Sequence, residues 1–287
     1  MSASPSTTET RYQRPFWWPL AWLALQAQLL LLGLMSIVWS AAALLLYPVL
    51  TRSAGRRIGR ATIAHGYRFF WRIAAASGML RLDTAALDTL RDEGGLIVVA
   101  NHPSMLDALM LMARLPKSAC IMKASLGRNP FLGPGARLAR YIRNDSAFGM
   151  VQCAVHDLQD GGQLVLFPEG TRTTRWPINP FHASFALIAA RAQAPVQAVF
   201  IDTCSPYLGK GWPLWRLPPL PIEFSVRLGA RFAPSADYHA LQAAVEGHFA
   251  DGLSDGPSGG LSNALSDGLS DGLNPPSTGH DVAIKSP

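Results

Sequence analysis

The sequence predicts an α/β fold with a mostly parallel or mixed central sheet flanked by helices. Short apolar runs typical of strands recur along the chain and alternate with stretches of helical character. These runs lie near Ile97, Cys120, Val165, Val199 and Phe224. Polar loops follow two of the runs directly, and the ends of strands are where an α/β sheet gathers its functional residues. A site at one edge of the sheet is therefore expected.

Composition divides the chain into five segments. We expect an N-terminal tail at 1–15, a membrane anchor at 16–51, a basic helical segment at 52–79, a catalytic domain at 80–250 and a disordered tail at 251–287. The catalytic segment has enough apolar residues for one sizeable core, with crossover helices near Ala147–Asp160 and Ala183–Gln193. The last segment is rich in Gly, Ser, Asp and Pro, and it has too few bulky side chains to offset the entropy of ordering.

The membrane anchor is an apolar run without charge. No charged residue lies between Arg14 and Arg52. The run is long enough to cross a bilayer once with some tilt, and too long for a cleavable signal peptide. The alternative is that the run folds about Gly33 as two shorter helices embedded in one leaflet. The aromatic residues Phe16–Trp18 and Tyr47 flank the run as they do at membrane interfaces.

The arginines that follow the anchor predict its orientation. They are Arg52, Arg56, Arg57, Arg60, Arg68 and Arg72. Because basic residues stay on the cytoplasmic side, they place the catalytic segment at the cytoplasmic face of the inner membrane, where they can bind anionic head groups. The net charge of +6 fits this location. No motif that reads nucleic-acid grooves accompanies the arginines, so membrane lipids are the expected partner and nucleic acid is not.

The first polar loop carries a candidate catalytic base. His102 and Asp107 follow the strand-like run at Ile97. Pro103 disfavours helix at His102, while Ser104 is a candidate N-cap with Asp107 at the acidic position of a capping box. On one ideal helix the two side chains would point about 140° apart, so they can meet only if His102 lies outside the helix. The alternative is that Asp107 merely caps the helix.

The second polar loop carries a candidate anion site. The run Phe167–Arg172, with the sequence Phe-Pro-Glu-Gly-Thr-Arg, follows the apolar strand Gln163–Leu166. Its backbone donors and its guanidinium can hold a phosphate, whereas the histidine of the first loop can accept a proton from a hydroxyl. The two loops together indicate chemistry on a phosphorylated alcohol.

Both loops resemble the glycerolipid acyltransferase family, which includes bacterial 1-acylglycerol-3-phosphate acyltransferases. The likeness covers roughly Leu80 to Phe200. The family's Asn-His motif, with an Asp five residues after the histidine, is matched by Asn101, His102 and Asp107, and Phe167–Arg172 matches its second motif completely.

Two further blocks are less specific. Lys123, the Pro130–Gly133 stretch and Arg143 resemble a third family block, and Ala194–Val199 resembles a fourth. The strand before the family's phosphate-binding arginine departs from the usual pattern here. Arg143 is the better match, but Arg140 competes with it.

The resemblance implies a membrane-bound O-acyltransferase that moves a fatty acyl group from acyl-CoA or acyl carrier protein to the hydroxyl of a lysophospholipid, by default 1-acylglycerol-3-phosphate. His102, oriented by Asp107, would be the general base. The substrate-binding residues would be Glu169, Gly170, Thr171, Arg172, Arg143 and Lys123. Glu169 would accept hydrogen bonds from the acceptor hydroxyl, from the loop backbone or from an arginine. No cofactor or metal ion is expected.

Other classes of protein fit the sequence less well. A serine esterase would need a Gly-x-Ser-x-Gly elbow, which the catalytic segment at 80–250 lacks, and a scaffold would leave both motifs unexplained. The cysteines at 120, 153 and 204 adjoin apolar runs and are expected to be buried. The aromatic run Trp212–Trp215 is expected either to touch lipid or the acyl chain, or to cover the sheet. The Gly-Asp units of the tail lack the regular period of calcium-binding repeats.

Overall fold

The structure is a computed structural model that describes residues 18–254. The predicted tail at 1–15, Phe16 and Trp17 of the aromatic belt, and residues 255–287 of the C-terminal tail lie outside the described residues.

The described chain forms a seven-stranded sheet with helices on both faces. The strands are β1 (Leu80–Asp83), β2 (Leu96–Ala100), β3 (Ser118–Met122), β4 (Ile142–Arg143), β5 (Gln163–Leu166), β6 (Val196–Thr203) and β7 (Ile222–Phe232). Their order is β1-β7-β6-β2-β5-β3-β4. All neighbours are parallel except β6 and β7, which pair antiparallel. The predicted α/β fold with a mixed sheet is confirmed, although β1 and the two-residue β4 were not predicted.

Eight α-helices accompany the sheet within residues 18–254. They are α1 (Trp18–Leu46), α2 (Arg52–Ala76), α3 (Asp107–Arg114), α4 (Ala124–Gly127), α5 (Gly133–Leu138), α6 (Ala147–Gln159), α7 (Ser184–Ala192) and α8 (Tyr238–Ser254). Central strands are apolar on both faces, so two cores form. In β2, Val98 belongs to the core shared with α1, α2 and α3, whereas Val99 belongs to the core shared with α6, α7 and α8.

Helix α1 is continuous, so the expected alternative of a hairpin about Gly33 is wrong. It is long and apolar enough to cross a membrane, and most of its surface is exposed. Both halves of α1 nevertheless bind the sheet domain. Trp22 Nε1 donates to the carbonyl of Trp215 at 2.7 Å, and Ser36 and Ser40 donate to the carbonyl of Phe131 at 2.8 and 2.5 Å. The apolar helix therefore lies along the domain.

Helix α2 is held against the domain by two of its arginines. Arg60 is buried and pairs with Asp157 at 2.7 Å, and Arg56 pairs with Asp157 at 3.2 Å and with Asp160 at 3.0 Å. Arg60 also donates to the carbonyl of Lys117 at 2.8 Å. The expectation that the arginines after the anchor can bind head groups does not hold for these two, because carboxylates at the C-terminal end of α6 bind them.

The last helix passes the expected end of the catalytic domain at 250. Helix α8 continues to Ser254, and Leu253 is buried in the core. The carbonyl of Gly252 accepts a hydrogen bond from Arg227 of β7. The boundary at 250 is therefore four residues too early, because the buried leucine interrupts an otherwise polar and glycine-rich run.

Candidate active site

The two motif loops lie side by side at one edge of the sheet. Strands β2 and β5 pair in parallel, with Val99 opposite Leu166, so their carboxyl ends meet. Asn101 ties the first loop to the other neighbour, β6. Its amide oxygen accepts from the backbone N–H of Ile201 at 2.8 Å and its amide nitrogen donates to the carbonyl of Ile201 at 2.9 Å. The Asn101 side chain thus extends the hydrogen-bond ladder between β2 and β6 beyond the point where the backbone of β2 ends.

His102 and Asp107 contact each other as the local sequence predicted. His102 Nδ1 lies 2.9 Å from Asp107 Oδ2. Because a carboxylate accepts, the bond places the proton on Nδ1 and leaves Nε2 with a lone pair. The imidazole also stacks on Phe167, with ring centroids 4.1 Å apart and planes at 18°. Two contacts therefore fix the ring, while 19% of the His102 side chain stays accessible.

Asp107 is fully buried, and its environment favours the protonated form. Its Oδ2 also accepts from the backbone N–H of Ser104 at 2.8 Å, whereas Oδ1 has no hydrogen-bond partner among residues 18–254. Burial raises the pKa of Asp107 to about 6, although the hydrogen bond and the charge of His102 act in the opposite direction. The histidine therefore helps to keep the carboxylate ionised.

The predicted cap by Ser104 differs from the structure. Helix α3 begins at Asp107, so Ser104 precedes it by a turn. Ser104 Oγ donates to the carbonyl of Tyr207 at 2.9 Å and accepts from the N–H of Leu106 at 3.3 Å. Only the half of the capping box in which Asp107 accepts from Ser104 is present.

Glu169 joins the two motif loops. Its Oε1 accepts from the backbone N–H of His102 at 3.0 Å and from the hydroxyl of Thr173 at 2.6 Å, and its Oε2 accepts from the backbone N–H of Asn179 at 3.0 Å. The N–H of Thr173 donates in turn to the carbonyl of His102 at 2.7 Å. Of the three partners expected for Glu169, the structure shows the loop backbone. The residue is buried, and its direct contact with substrate stays a prediction.

Gly170 turns the second loop beneath an exposed histidine. Its φ is +65°, a conformation that side chains with a Cβ rarely adopt, and its N–H donates to the carbonyl of Phe167 at 3.0 Å. A Cβ here would lie 3.0 Å from the ring of His182. The neighbouring Thr171 is partly exposed in the same turn.

The Arg172 side chain binds a distant loop. Its Nη1 donates to the carbonyls of Leu208 and Gly209 at 2.9 and 2.8 Å. Within the described residues, Nε and Nη2 make no hydrogen bond, so the guanidinium retains donors for an anion. Arg172 therefore joins the second motif to the segment after β6.

Lys123 and Arg143 lie two and three strands away from His102 on the same edge. Lys123 follows β3 and is exposed. Arg143 lies on β4, where it pairs with Met122 of β3. The guanidinium of Arg143 forms an exposed ion pair with Asp145 at 2.9 Å. Its competitor Arg140 lies over the ring of Tyr47 at the end of α1, 5.3 Å from the centroid. Of the two arginines, Arg143 is therefore the one on a strand of the sheet.

Asn179 is a site residue that sequence reasoning missed. This buried side chain accepts at Oδ1 from the N–H groups of Thr174 and Arg175 and from the hydroxyl of Thr174, while its Nδ2 donates to the carbonyl of Arg172. It thus shapes the loop that follows the second motif. The one available signal was an Asn-Pro pair in a polar loop, which occurs in many turns.

The cysteines take no part in this arrangement. Cys120 is partly buried, and burial raises the pKa of its thiol to about 12. Cys153 and Cys204 are exposed, so the expectation that they are buried is wrong. Apolar neighbours in sequence misled that expectation, because Cys153 lies on the outer face of α6 and Cys204 just beyond β6.

Comparison with known families identifies the region that carries these loops. Residues 81–202 match the family model described as Acyltransferase. This segment resembles an acyltransferase-family domain. The match begins and ends within two residues of the resemblance expected from the motifs, and it contains every predicted site residue. Helices α1 and α2 and the segment after β6 lie outside it.

Individual relatives agree with this assignment. The chain is 35% identical over 118 residues to acl-2 of Caenorhabditis elegans, covering 38% of this chain and 42% of that protein. It is 31% identical over 117 residues to the 1-acyl-sn-glycerol-3-phosphate acyltransferase of Helicobacter pylori, covering 38% of this chain and 49% of that enzyme. The matched segment thus spans less than half of each of these relatives.

A solved structure shares the fold over a longer stretch. The crystal structure of the 1-acyl-sn-glycerophosphate (LPA) acyltransferase PlsC from Thermotoga maritima superposes with a TM-score of 0.64 at 19% identity, covering 81% of this chain and 94% of that one. At this identity the likeness establishes the fold.

Proposed function

We propose that this protein transfers a fatty acyl group from an acyl thioester to the hydroxyl of a lysophospholipid, with 1-acylglycerol-3-phosphate as the acceptor. The carrying observation is the fixed His102–Asp107 pair beside the loop of Glu169 and Arg172. The names of the relatives support the choice of acceptor. Acyl-CoA and acyl carrier protein are both candidate donors, because either presents an acyl thioester beside acidic groups that a basic protein attracts.

The proposed reaction needs one base and no covalent acyl-enzyme. His102 Nε2 accepts the proton of the acceptor hydroxyl while that oxygen attacks the thioester carbonyl carbon. The carbon–sulfur bond then breaks, and the imidazolium returns the proton to the departing thiolate. Asp107 holds Nδ1 throughout and stabilises the transient positive charge, because its Oδ2 lies 2.9 Å away.

The acceptor's phosphate is proposed to lie along the carboxyl edge of the sheet. Arg172 has guanidinium donors left over, and Lys123 and Arg143 add positive charge beyond β5. Arginine suits this task because its planar donors match phosphate oxygens. The buried carboxylate of Glu169 acts by fixing the backbone of His102, since a direct contact with phosphate would be repulsive.

We further propose that α1 lies in the cytoplasmic leaflet of the inner membrane. Trp22 and Ser40 both bind the domain, and the 18 residues from one to the other span about 27 Å of helix. The hydrocarbon core of a bilayer is about 30 Å thick. A helix that stays in contact with the domain over about 27 Å cannot leave the domain to cross that core. Its exposed leucines, such as Leu30 and Leu45, would then contact acyl chains.

The test is acyl transfer by the purified full-length protein in detergent. Labelled acyl-CoA or acyl carrier protein is mixed with a panel of lysolipids, and the products are resolved by mass. We expect a diacyl product that His102→Ala abolishes and that His156→Ala, which changes an exposed histidine of α6, leaves unchanged. Turnover by His102→Ala at the wild-type rate would refute the mechanism, and the absence of any diacyl lipid with either donor would refute the function.

A further inference from the structure

The segment after β6 carries an exposed apolar tip close to the candidate active site. We call residues 210–216 the tryptophan loop. Leu214 is 51% exposed and Trp215 is 72% exposed, so two adjacent large apolar side chains face solvent at the tip. The loop lies outside the segment that matches the acyltransferase model, which ends at residue 202. Neither the family match nor the proposed chemistry explains these side chains.

The backbone beneath the exposed tip is held in place by α1. Trp22 Nε1 donates to the carbonyl of Trp215 at 2.7 Å, and Gln26 Nε2 donates to the carbonyl of Leu214 at 3.1 Å. Within the loop, Trp212 Nε1 donates to the carbonyl of Arg216 at 3.2 Å, and the Arg216 guanidinium lies 4.7 Å from the Trp212 ring centroid. Trp215 is therefore presented to solvent on a fixed backbone.

The surroundings of the tip have the chemistry of a membrane contact. The first turns of α1, which bind the loop, also expose Leu20 at 69% and Leu23 at 56%. Two exposed cations, Lys210 and Arg216, belong to the loop itself. Indole rings favour the lipid–water interface, and lysine and arginine bind lipid phosphates. An anionic phospholipid surface satisfies both properties.

The start of the same segment is bonded to both catalytic loops. The carbonyls of Leu208 and Gly209 accept from Arg172, and the carbonyl of Tyr207 accepts from Ser104 Oγ. The N–H of Met105 donates to the carbonyl of Leu208 at 3.1 Å. Only five residues separate Gly209 from Trp215, so the position of the tip and that of the His102 loop are linked through one short segment.

We propose that the tryptophan loop is a second membrane-contact surface, in which Leu214 and Trp215 enter an anionic phospholipid bilayer beside α1. The contact holds the loops of His102 and Arg172 at the level of the lipid head groups, where a lysolipid presents its hydroxyl. The inference rests on the membrane association proposed for α1. It does not depend on which lysolipid is acylated.

A fluorescent label at the tip tests the contact directly. Cys153→Ser and Cys204→Ser remove the exposed thiols from the full-length protein, and Trp215→Cys accepts an environment-sensitive fluorophore. The protein is mixed with vesicles of phosphatidylglycerol and phosphatidylethanolamine that contain nitroxide-labelled acyl chains. We expect emission to shift to shorter wavelength and most of the intensity to be lost. The same label at Phe148→Cys, on α6 across the sheet and 65% exposed in the parent protein, should show neither change.

Cosedimentation of the same samples separates the possible failures. If the protein sediments with vesicles but the label at 215 keeps its emission, the loop proposal is wrong and the α1 proposal stands. If the protein does not sediment with vesicles, both membrane proposals are wrong. Lack of acyl transfer would refute the proposed reaction and leave the fluorescence result unaffected.

Kinetics test whether the contact serves catalysis. The double variant Leu214→Ser, Trp215→Ser should lose about tenfold or more in kcat/KM on a long-chain acceptor embedded in vesicles, because it loses two large apolar groups from the lipid contact. With a short-chain acceptor dissolved as monomer, its kcat/KM should equal that of the wild type. Phe148→Ser should change neither value. Equal losses on both acceptors would show that the loop only supports the site.

Discussion

At the scale of single residues, the decisive group is Asp107, because its buried carboxylate controls which histidine nitrogen carries the proton. Replacing it by asparagine keeps the size but removes the charge that favours Nδ1–H and stabilises the imidazolium. We expect Asp107→Asn to lower kcat by about 10² to 10⁴-fold. The assay is acyl transfer, with the melting temperature as a control for folding. A kcat within twofold of wild type would show that Asp107 only caps α3.

The same carboxyl predicts a pH dependence. Burial raises the pKa of Asp107 to about 6. Activity should therefore fall as the pH drops below about 6, because protonation removes the acceptor of the His102 Nδ1–H bond. For stability the sign is opposite. A raised pKa means that ionisation costs folding free energy, so this cost grows as the pH rises from about 4 through about 6.

Rates and denaturation curves measured between pH 4 and pH 8 check both signs. The pH dependence of unfolding that is due to Asp107 should disappear in Asp107→Asn. If the wild type and this variant lost stability equally over that interval, the raised pKa would have to be rejected.

Steady-state kinetics should show which of the two candidates, Arg143 or Arg140, binds the phosphate of the acceptor. Arg143→Ala is expected to raise the KM for a phosphorylated acceptor by about tenfold, since a charge-assisted bond to phosphate is lost. Arg140→Ala should leave that KM unchanged, because its guanidinium lies against Tyr47. The KM values are measured with one donor at saturation. The reverse pattern would exchange the roles of the two arginines.

The residues that could be predicted from the sequence are those whose partners are local. His102 and Asp107 are five residues apart, and Pro103 between them shapes the loop that lets them meet. The partners of Arg172 were not predictable, because Leu208 and Gly209 follow β6, 36 and 37 residues away. Glu169 also lies 67 residues from His102, so its role in joining the loops became visible only in the folded chain.

At the scale of elements, the closest approach of α2 to the C-terminal end of α5 is at Gly59. A Cβ on Gly59 would lie 2.7 Å from backbone atoms of Ala139, whereas a Cβ on Gly66 in the same helix would meet nothing nearer than 3.6 Å. We expect Gly59→Ala to lower the free energy of unfolding by about 1–3 kcal/mol through overpacking. Gly66→Ala should be neutral or stabilising by up to about 1 kcal/mol, because alanine favours helix.

Urea denaturation of both variants tests this contrast. Both substitutions gain the same helix propensity. The difference in unfolding free energy between the two variants therefore measures the cost of the contact between the new Cβ and Ala139. An equal gain in stability for the two variants would show that α2 and α5 can separate without cost.

Elements were predictable where hydrophobic pattern and length agree. All five apolar runs predicted as strands, near Ile97, Cys120, Val165, Val199 and Phe224, are present as β2, β3, β5, β6 and β7. Strand β4 has two residues, and no periodicity exists over so short a run. Strand β1 is an edge strand with exposed Arg81 and Asp83, so its pattern resembles that of a loop. Its partner β7 lies more than 130 residues away in sequence.

At the scale of the whole molecule, the end of α8 is the last part of the described chain that contributes to the core. Leu253 is 2% exposed, and the carbonyl of Gly252 binds Arg227. A chain that ends at Ala250 loses both contacts and should be less stable by about 2–5 kcal/mol, the usual cost of removing a buried leucine side chain. A chain that ends at Ser254 keeps them and should match the full-length protein, because residues 255–287 are rich in small and polar side chains.

The test compares the two truncated proteins with the full chain. Denaturation midpoints and acyl-transfer rates are measured for all three. Because they differ by four residues only, any difference between them reports the contacts of 251–254. A loss of stability in the protein ending at Ser254 would show that residues 255–287 contribute to the fold. Equal stability of both truncated proteins would show that Leu253 does not contribute to the core that α8 shares with β6 and β7.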